Sequence, residues 1–204
     1  MTGVGFLPVA IYKNKLYFLF GKERDRPNET ARGWADFGGG SEEGETIYQT
    51  ASREGAEELS GFLGNKKKIR SLLNKKKLVI KTDDKNYTTF IVPIEYDENL
   101  PKYFNNQISF INSYVGNYKL NNTTMYEKQE IKWYTLNMLQ THKKKFRTFY
   151  QEVVGKILKN KSTIQKLFKG RKTKKQTKTR KVNTKTVRYN AGTKGRKITL
   201  RIKR

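Results

Sequence analysis

Glu54, Glu57 and Glu58 fall within five consecutive positions of a chain that is otherwise strongly basic, with 44 Lys and Arg against 18 Asp and Glu. Around them, Tyr48, Ala51, Gly55, Leu59 and Phe62 recur at spacings of three and four, which predicts a helix from about Thr46 to Leu59 with one apolar face. At about 100° per residue the three glutamates then cluster beside that face, within roughly a third of the circumference. Like charges held this close repel, by some tenths of a kcal/mol per pair in water and more where they are partly buried. A divalent cation removes the conflict. Carboxylates are hard oxygen ligands and no His or Cys lies near, so the chemistry indicated is Mg2+ or Mn2+ beside a phosphate-bearing substrate, and zinc is not indicated. Taken as three glutamates alone, the cluster is better explained as a solvated acidic helix face.

The elements that must position this helix are legible on both sides of it. Residues 4–12 and 16–20 read as an apolar β-hairpin around Lys13-Asn14-Lys15, and residues 22–33 as a polar loop. "WADFGGG" (34–40) brings a short strand into a triple glycine. Trp34 and Phe37 there are expected in the core, with stacking on a base as the alternative. Residues 77–81 and 87–96 suggest a second hairpin, and "EIKWYTL" (130–136) a strand with Ile131 and Trp133 on one face. Residues 97–129, rich in Asn and Tyr, show no period. Phe146, Phe149, Tyr150, Val153, Val154, Ile157 and Leu158 mark one amphipathic helix over 143–160. His142 reads as an ordinary surface histidine.

Spacing adds to the charge argument. Gly39 is followed after five residues by Glu45, after seven more by Arg53-Glu54, and then by Gly55, Ala56 and Glu57-Glu58. This resembles the Nudix box of the MutT-like hydrolases: Gly, five residues, Glu, seven residues, Arg-Glu, an aliphatic, any residue, Glu-Glu, any residue, Gly, an aliphatic. Every charged position is filled. Two positions depart from the pattern: Gly55 stands where an aliphatic is usual, at about 1 kcal/mol against a good helix former, and Ser60 stands at the terminal glycine, one residue before Gly61.

The resemblance spans residues 3–140 and implies an α/β fold, a Nudix-type α/β/α sandwich around a mixed β-sheet. It implies that Glu54, Glu57 and Glu58 ligate Mg2+ or Mn2+, with Glu54 also placed to orient or deprotonate water, and that the carbonyl near Gly39 completes a metal site. Arg53 and Glu45 would pair to stiffen the loop–helix–loop. Glu130, and more weakly Glu127, stands where the family takes an extra ligand or general base, and no separate organic cofactor is implied. The activity implied is hydrolysis of a pyrophosphate bond in a nucleoside diphosphate linked to another moiety.

The family resemblance names the bond and leaves the substrate open. From Lys159 to Arg204 there are 19 Lys and Arg and no acidic residue. We therefore expect a domain over 1–160 and a basic tail over 161–204, too charged to bury a core. Lys172, Lys174, Lys175, Arg180 and Lys181 of that tail are candidate nucleic-acid contacts, with salt-dependent affinity. That points to the 5′ end of an RNA, cap or pyrophosphate, as substrate, and the Lys/Asn-rich composition is compatible with the mRNA-decapping branch of large DNA viruses. Free nucleotides or diphosphoinositol polyphosphates with the tail as an address, or a nucleic-acid-binding protein on an idle Nudix scaffold, are the alternatives. With no cysteine, no apolar run near the roughly 20 residues of a membrane span and no secretory pattern, the chain is expected inside the cell, cytoplasmic or nuclear and including a virus-encoded origin, and not secreted or integral to a membrane. Nothing in it fixes an oligomeric state.

Overall fold

The computed structural model describes residues 2–25, 32–84, 86–115 and 126–169. The chain divides into a unit over Met1–Lys169 and a second over Gly170–Arg204, and all the elements that follow belong to the first. The expected tail contacts Lys172, Lys174, Lys175, Arg180 and Lys181 lie outside the described residues.

The first hairpin, β1 (Gly3–Tyr12) and β2 (Lys15–Glu23), turns through Lys13 and Asn14, both at positive φ. Short strands β3 (Trp34–Ala35) and β4 (Phe37–Gly40) lead into α1 (Ile47–Glu57), and α2 (Lys66–Leu73) follows. The second hairpin is β5 (Leu78–Lys81) and β6 (Tyr87–Pro93). It is followed by α3 (Leu100–Val115) and β7 (Lys128–Thr135). Three short helices, α4 (Leu136–Thr141), α5 (Tyr150–Lys159) and α6 (Lys161–Lys166), complete the described chain. In the sheet the order is β3-β2-β1-β6-β5, with β4 also on β1 and β7 also on β2. β1 and β6 run parallel and the other pairs antiparallel, so the sheet is mixed.

Both faces of this sheet are covered, which is why β1 and β2 carry apolar residues at consecutive positions rather than alternate ones. Val4 and Phe6 of β1 and Leu19 of β2 face a core with Ala51, Leu59, Ile69, Phe104 and Trp133, under α1, α2 and α3. Leu7, Val9, Phe18 and Phe20 face a second core with Tyr134, Phe146, Tyr150 and Val153, under α4 and α5. The expected α/β/α sandwich is the architecture observed. Trp34 and Phe37 are both buried in these cores.

Three segments differ from the sequence-based expectation. The aperiodic 97–129 contains α3, whose buried Leu100, Phe104, Ile108 and Ile111 keep helical spacing among Asn and Tyr neighbours. The single helix expected over 143–160 is broken: Lys143–Lys145 is a 3-10 turn, Phe146 bridges to Trp34 in parallel, and α5 begins only at Tyr150. The apolar period runs across that break because all its pieces pack on the same core. Within the stretch assigned to the tail, Lys161–Lys166 forms α6 and buries Ile164 in that core. Among the described residues no helix is long and apolar enough to cross a membrane.

One buried carboxyl tunes the stability of this sandwich. Asp36, between β3 and β4, is fully buried and accepts a hydrogen bond from the Tyr87 hydroxyl at 2.6 Å, with the hydroxyls of Thr89 and Tyr150 close by. Burial pushes its pKa from 3.8 up to about 6. The unfolded chain therefore releases this proton first as pH rises. Stability falls between about pH 4 and pH 6, and the full loss of about 3 kcal/mol is in place above that. Asp36→Asn keeps the acceptor for Tyr87 and removes the charge. It should gain up to about 3 kcal/mol over the parent near pH 8 and little near pH 4, read from urea unfolding at the two values.

Candidate active site

α1 begins with a reciprocal cap: Gln49 N donates to the Thr46 hydroxyl at 3.3 Å, and Thr46 N donates to the Gln49 side chain at 2.9 Å. The helix ends at Glu57, and Ser60 and Gly61 both take positive φ, 48° and 73°. The departure at Ser60 thus leaves a non-glycine residue in the left-handed region, at a cost of about 1–2 kcal/mol, without moving the glutamates. The departure at Gly55 has a packing cause. A Cβ there would lie 3.0 Å from the Phe6 ring and 3.2 Å from Ile69, so α1 rests closer to the sheet than an aliphatic side chain would allow.

The loop before α1 is locked by Arg53. Its Nε donates to Glu45 Oε1 and its Nη2 to Glu45 Oε2, each at 3.0 Å, while Nη2 also donates to the Gly40 carbonyl at 3.0 Å. This two-pronged pair holds the Glu45 carboxyl down at about 2. The Thr50 hydroxyl adds a third bond to Glu45 at 3.1 Å. Through these bonds Arg53 ties Glu45 and the end of β4 to α1.

On the side of α1 that meets β4, Glu54 is buried and accepts from Arg53 Nη1 at 2.8 Å. Burial raises its pKa, against Arg53, and the nearby charges of Glu127 and Glu57 raise it further. A Cβ at Gly39 would collide with Glu54 Oε1, so a larger residue there would push that carboxylate aside. Glu57 is the exposed member, with 63% of its side chain accessible and Arg53 Nη1 at 3.5 Å. Glu58 is buried, and its Oε1 lies 3.1 Å from Lys128 Nζ. Burial raises Glu58 well above the usual carboxylate range despite that partner. Its other oxygen, Oε2, is buried with no hydrogen-bond donor among the described residues.

Lys128 and Glu23 complete the cluster, and sequence reasoning missed both. Lys128 is fully buried and donates to Glu23 Oε1, which also accepts from Arg147 Nη1 at 3.1 Å. Burial alone would lower the Lys128 pKa; Glu58 and Glu23 together outweigh it and hold the ammonium charged. A register shift in the β2–β7 pairing places Lys128 opposite Glu23 and Glu130 opposite Lys22. Glu130 is not brought to the cluster. It shares a strand face with Tyr134, whose hydroxyl is raised by burial and then by the Glu130 charge, in the core on the opposite side of the sheet. Glu127, ranked below it from sequence, is the carboxylate that acts on Glu54.

Among the described residues no three acidic or His side chains converge as a ready-made metal cage; Arg53 and Lys128 stand between the carboxylates. The residues nevertheless fit a hard cation. The donors are all oxygen, Glu58 Oε2 is buried with no hydrogen-bond partner among the described residues, Glu54 is desolvated, and the Gly39 backbone comes close to the Glu54 carboxylate.

No family model matches the chain, and no curated protein matches it. Several solved structures align with most of its length at low identity. An Ap4A hydrolase of C. elegans, in a binary complex, aligns with TM-score 0.48 and 14% identity over 81% of this chain and 98% of its own. A Nudix hydrolase of M. smegmatis, RenU, aligns with TM-score 0.46 and 15% identity over 80% and 88%. The MutT protein of Methanosarcina mazei Go1 gives 0.43 and 11% over 79% and 94%.

Proposed function

We propose that this chain is a divalent-metal-dependent pyrophosphohydrolase of the Nudix type, with the 5′ end of an RNA as its favoured substrate. The observation that carries the hydrolase reading is the set Glu54, Glu57 and Glu58 on one side of α1 against the Gly39 strand end, with Glu58 Oε2 buried and unpaired. Glu54, Glu57, Glu58 and the carbonyl near Gly39 would hold Mg2+ or Mn2+. Such an ion supplies charge neutralisation for the phosphate oxygens and lowers the pKa of a bound water. Within this set Arg53 keeps the loop and Glu54 aligned, Lys128 fixes the rotamer of Glu58, and Glu54 is the carboxylate placed to orient water. Glu127 acts on that role through its charge.

The RNA reading rests on the basic excess. A free nucleotide needs no run of 19 Lys and Arg without a single acid, whereas a polyanionic strand gains affinity from it by counterion release. RNA ends are met inside the cell, in cytoplasm or nucleus, and the viral decapping branch is the version of this reading with which the Lys/Asn-rich composition is compatible. The test is a panel of capped RNA, 5′-triphosphate RNA, free nucleotides and diphosphoinositol polyphosphates, with and without Mg2+. Metal-dependent release of a nucleoside diphosphate and 5′-monophosphate RNA is the expected result. Faster turnover of the small substrates would make the tail an address, and no turnover of any of them would leave an idle scaffold.

A further inference from the structure

The flank of α1 turned away from its glutamates carries the opposite charge. Gln49 and Ser52 lie nearly half a turn around the helix from Glu54 and Glu58. There, Thr46, Gln49, Asn65, Lys66, Lys67 and Arg70 border a cleft of about 720 Å³ between α1 and α2. From residue 59 to residue 82 the chain has eight Lys and Arg and no Asp or Glu. Lys66, Lys67 and Lys68 are all exposed, so this charge is presented to solvent.

Two features show a cationic surface that lacks its counter-charge. Arg70 and Lys77 are both held 5.0 Å from the centroid of the Tyr48 ring, which is itself braced on Phe90 at 4.9 Å. Two cations gathered on one ring repel, and an anion between them relieves the repulsion. Arg70 Nη1, moreover, is buried with no acceptor among the described residues, so the guanidinium that borders the cleft has an unpaired N–H there.

The shape of the charge favours a strand over a single phosphate. α2 is about 12 Å long at 1.5 Å per residue, and its cations continue into Lys75, Lys76 and Lys77. Lys76 Nζ donates to the carbonyl of Lys169 at 3.1 Å. The row therefore reaches the residue from which the most basic part of the sequence continues. The side-chain NH2 groups of Gln49 and Asn65, whose oxygens cap α1 and α2, add donors suited to sugar and base edges.

We propose that the α1–α2 cleft is a second binding site, for the phosphodiester backbone of single-stranded RNA, separate from the glutamate cluster and from the basic tail. This rests on the RNA reading of the glutamate site and assigns the body of the same strand to the other flank of α1. Lysine acetylation of the full-length protein, with a short unstructured RNA and with EDTA in place of metal, tests binding independently of hydrolysis. Lys66, Lys67 and Lys77 should be protected by the RNA, while Lys13 and Lys102 continue to react.

In a Lys66→Glu, Lys67→Glu variant RNA affinity should fall about tenfold, and the slope of log affinity against log salt should flatten by about 1.4, the single-strand value for two phosphate contacts. Both positions are exposed, so the variant should fold, which circular dichroism checks. Unaltered reactivity of Lys66 and Lys67 with RNA bound overturns the proposal, whatever the tail lysines show. So does an unchanged salt slope, or protection by phosphatidylserine vesicles or inositol hexakisphosphate with none by RNA. Protection in EDTA from a protein that hydrolyses none of the panel substrates would uphold the cleft and remove only the hydrolase reading.

Discussion

Exchanging Glu57 for Gln should lower metal-dependent turnover of the preferred pyrophosphate substrate by about 10²–10³-fold, the loss typical when one preorganised charge-stabilising group is removed. Folding stability should stay within about 0.5 kcal/mol of the parent. The separation of the two effects comes from where the side chain sits. Glu57 is the exposed member of the trio, and its close ionic partner among the described residues is Arg53 at 3.5 Å, which keeps Glu45 and Glu54 when Glu57 is neutralised. The substitution is isosteric and alters charge alone. A second readout does not depend on catalysis. Mg2+ that binds the folded state and not the unfolded one raises the melting temperature, by about 2.7 kcal/mol of stability at a hundredfold excess over its dissociation constant. Glu57→Gln should shrink that shift. Equal turnover and an equal Mg2+ shift in parent and variant would show that the α1 carboxylates hold no metal.

The part of this site that could be read from the sequence lies within one local stretch. Thr46 and Gln49 as a cap, the apolar spacing of α1, and the coincidence of Gly39, Glu45, Arg53 and the three glutamates are all encoded within about 20 residues, where helix geometry converts spacing directly into position. The hairpins were legible for the same reason, since strand pairs joined by short turns set their own register. What escaped was set by contacts distant in sequence. Lys128 meets Glu23 across 105 residues, and nothing in "EKQEIKW" distinguishes a buried lysine from an exposed one.

The choice between Glu127 and Glu130 depended on which strand face each occupies, and a register irregularity between Lys22 and Glu23 decides that in a way no alternation pattern reveals. α3 was hidden by composition, because four buried apolar residues at helical spacing are diluted by Asn, Ser and Tyr of modest helix propensity. The cationic α2 was overlooked for a related reason. Against a net charge of +26, a local run of lysines has little contrast until the fold shows that it borders a cleft.

Lys128→Met should be the costliest single substitution around the site, at about 3–5 kcal/mol, because it removes the ammonium that pairs with buried Glu58. Methionine preserves most of the stem volume, including the part that packs beside Gly21, so the cost should come from the stranded carboxylate rather than from a cavity. The double variant Lys128→Met, Glu58→Gln tests that attribution. It leaves no buried unpaired charge at position 58, while Glu23 keeps Arg147 at 3.1 Å. Most of the stability should therefore return, since replacing a whole buried ion pair by neutral groups is commonly close to neutral where removing one partner is not.

Urea midpoints at unchanged slope give the comparison directly. An equal loss in the single and double variants would instead mean that Lys128 serves by packing. The recovered double variant is informative for function as well. It would be folded, yet without the carboxylate whose free oxygen is offered to a cation, so stability would return while the Mg2+-dependent shift in melting temperature would not. That outcome ties the buried lysine to the metal site by its hold on Glu58: the ammonium takes one oxygen of the carboxylate, and the geometry leaves the other for the ion.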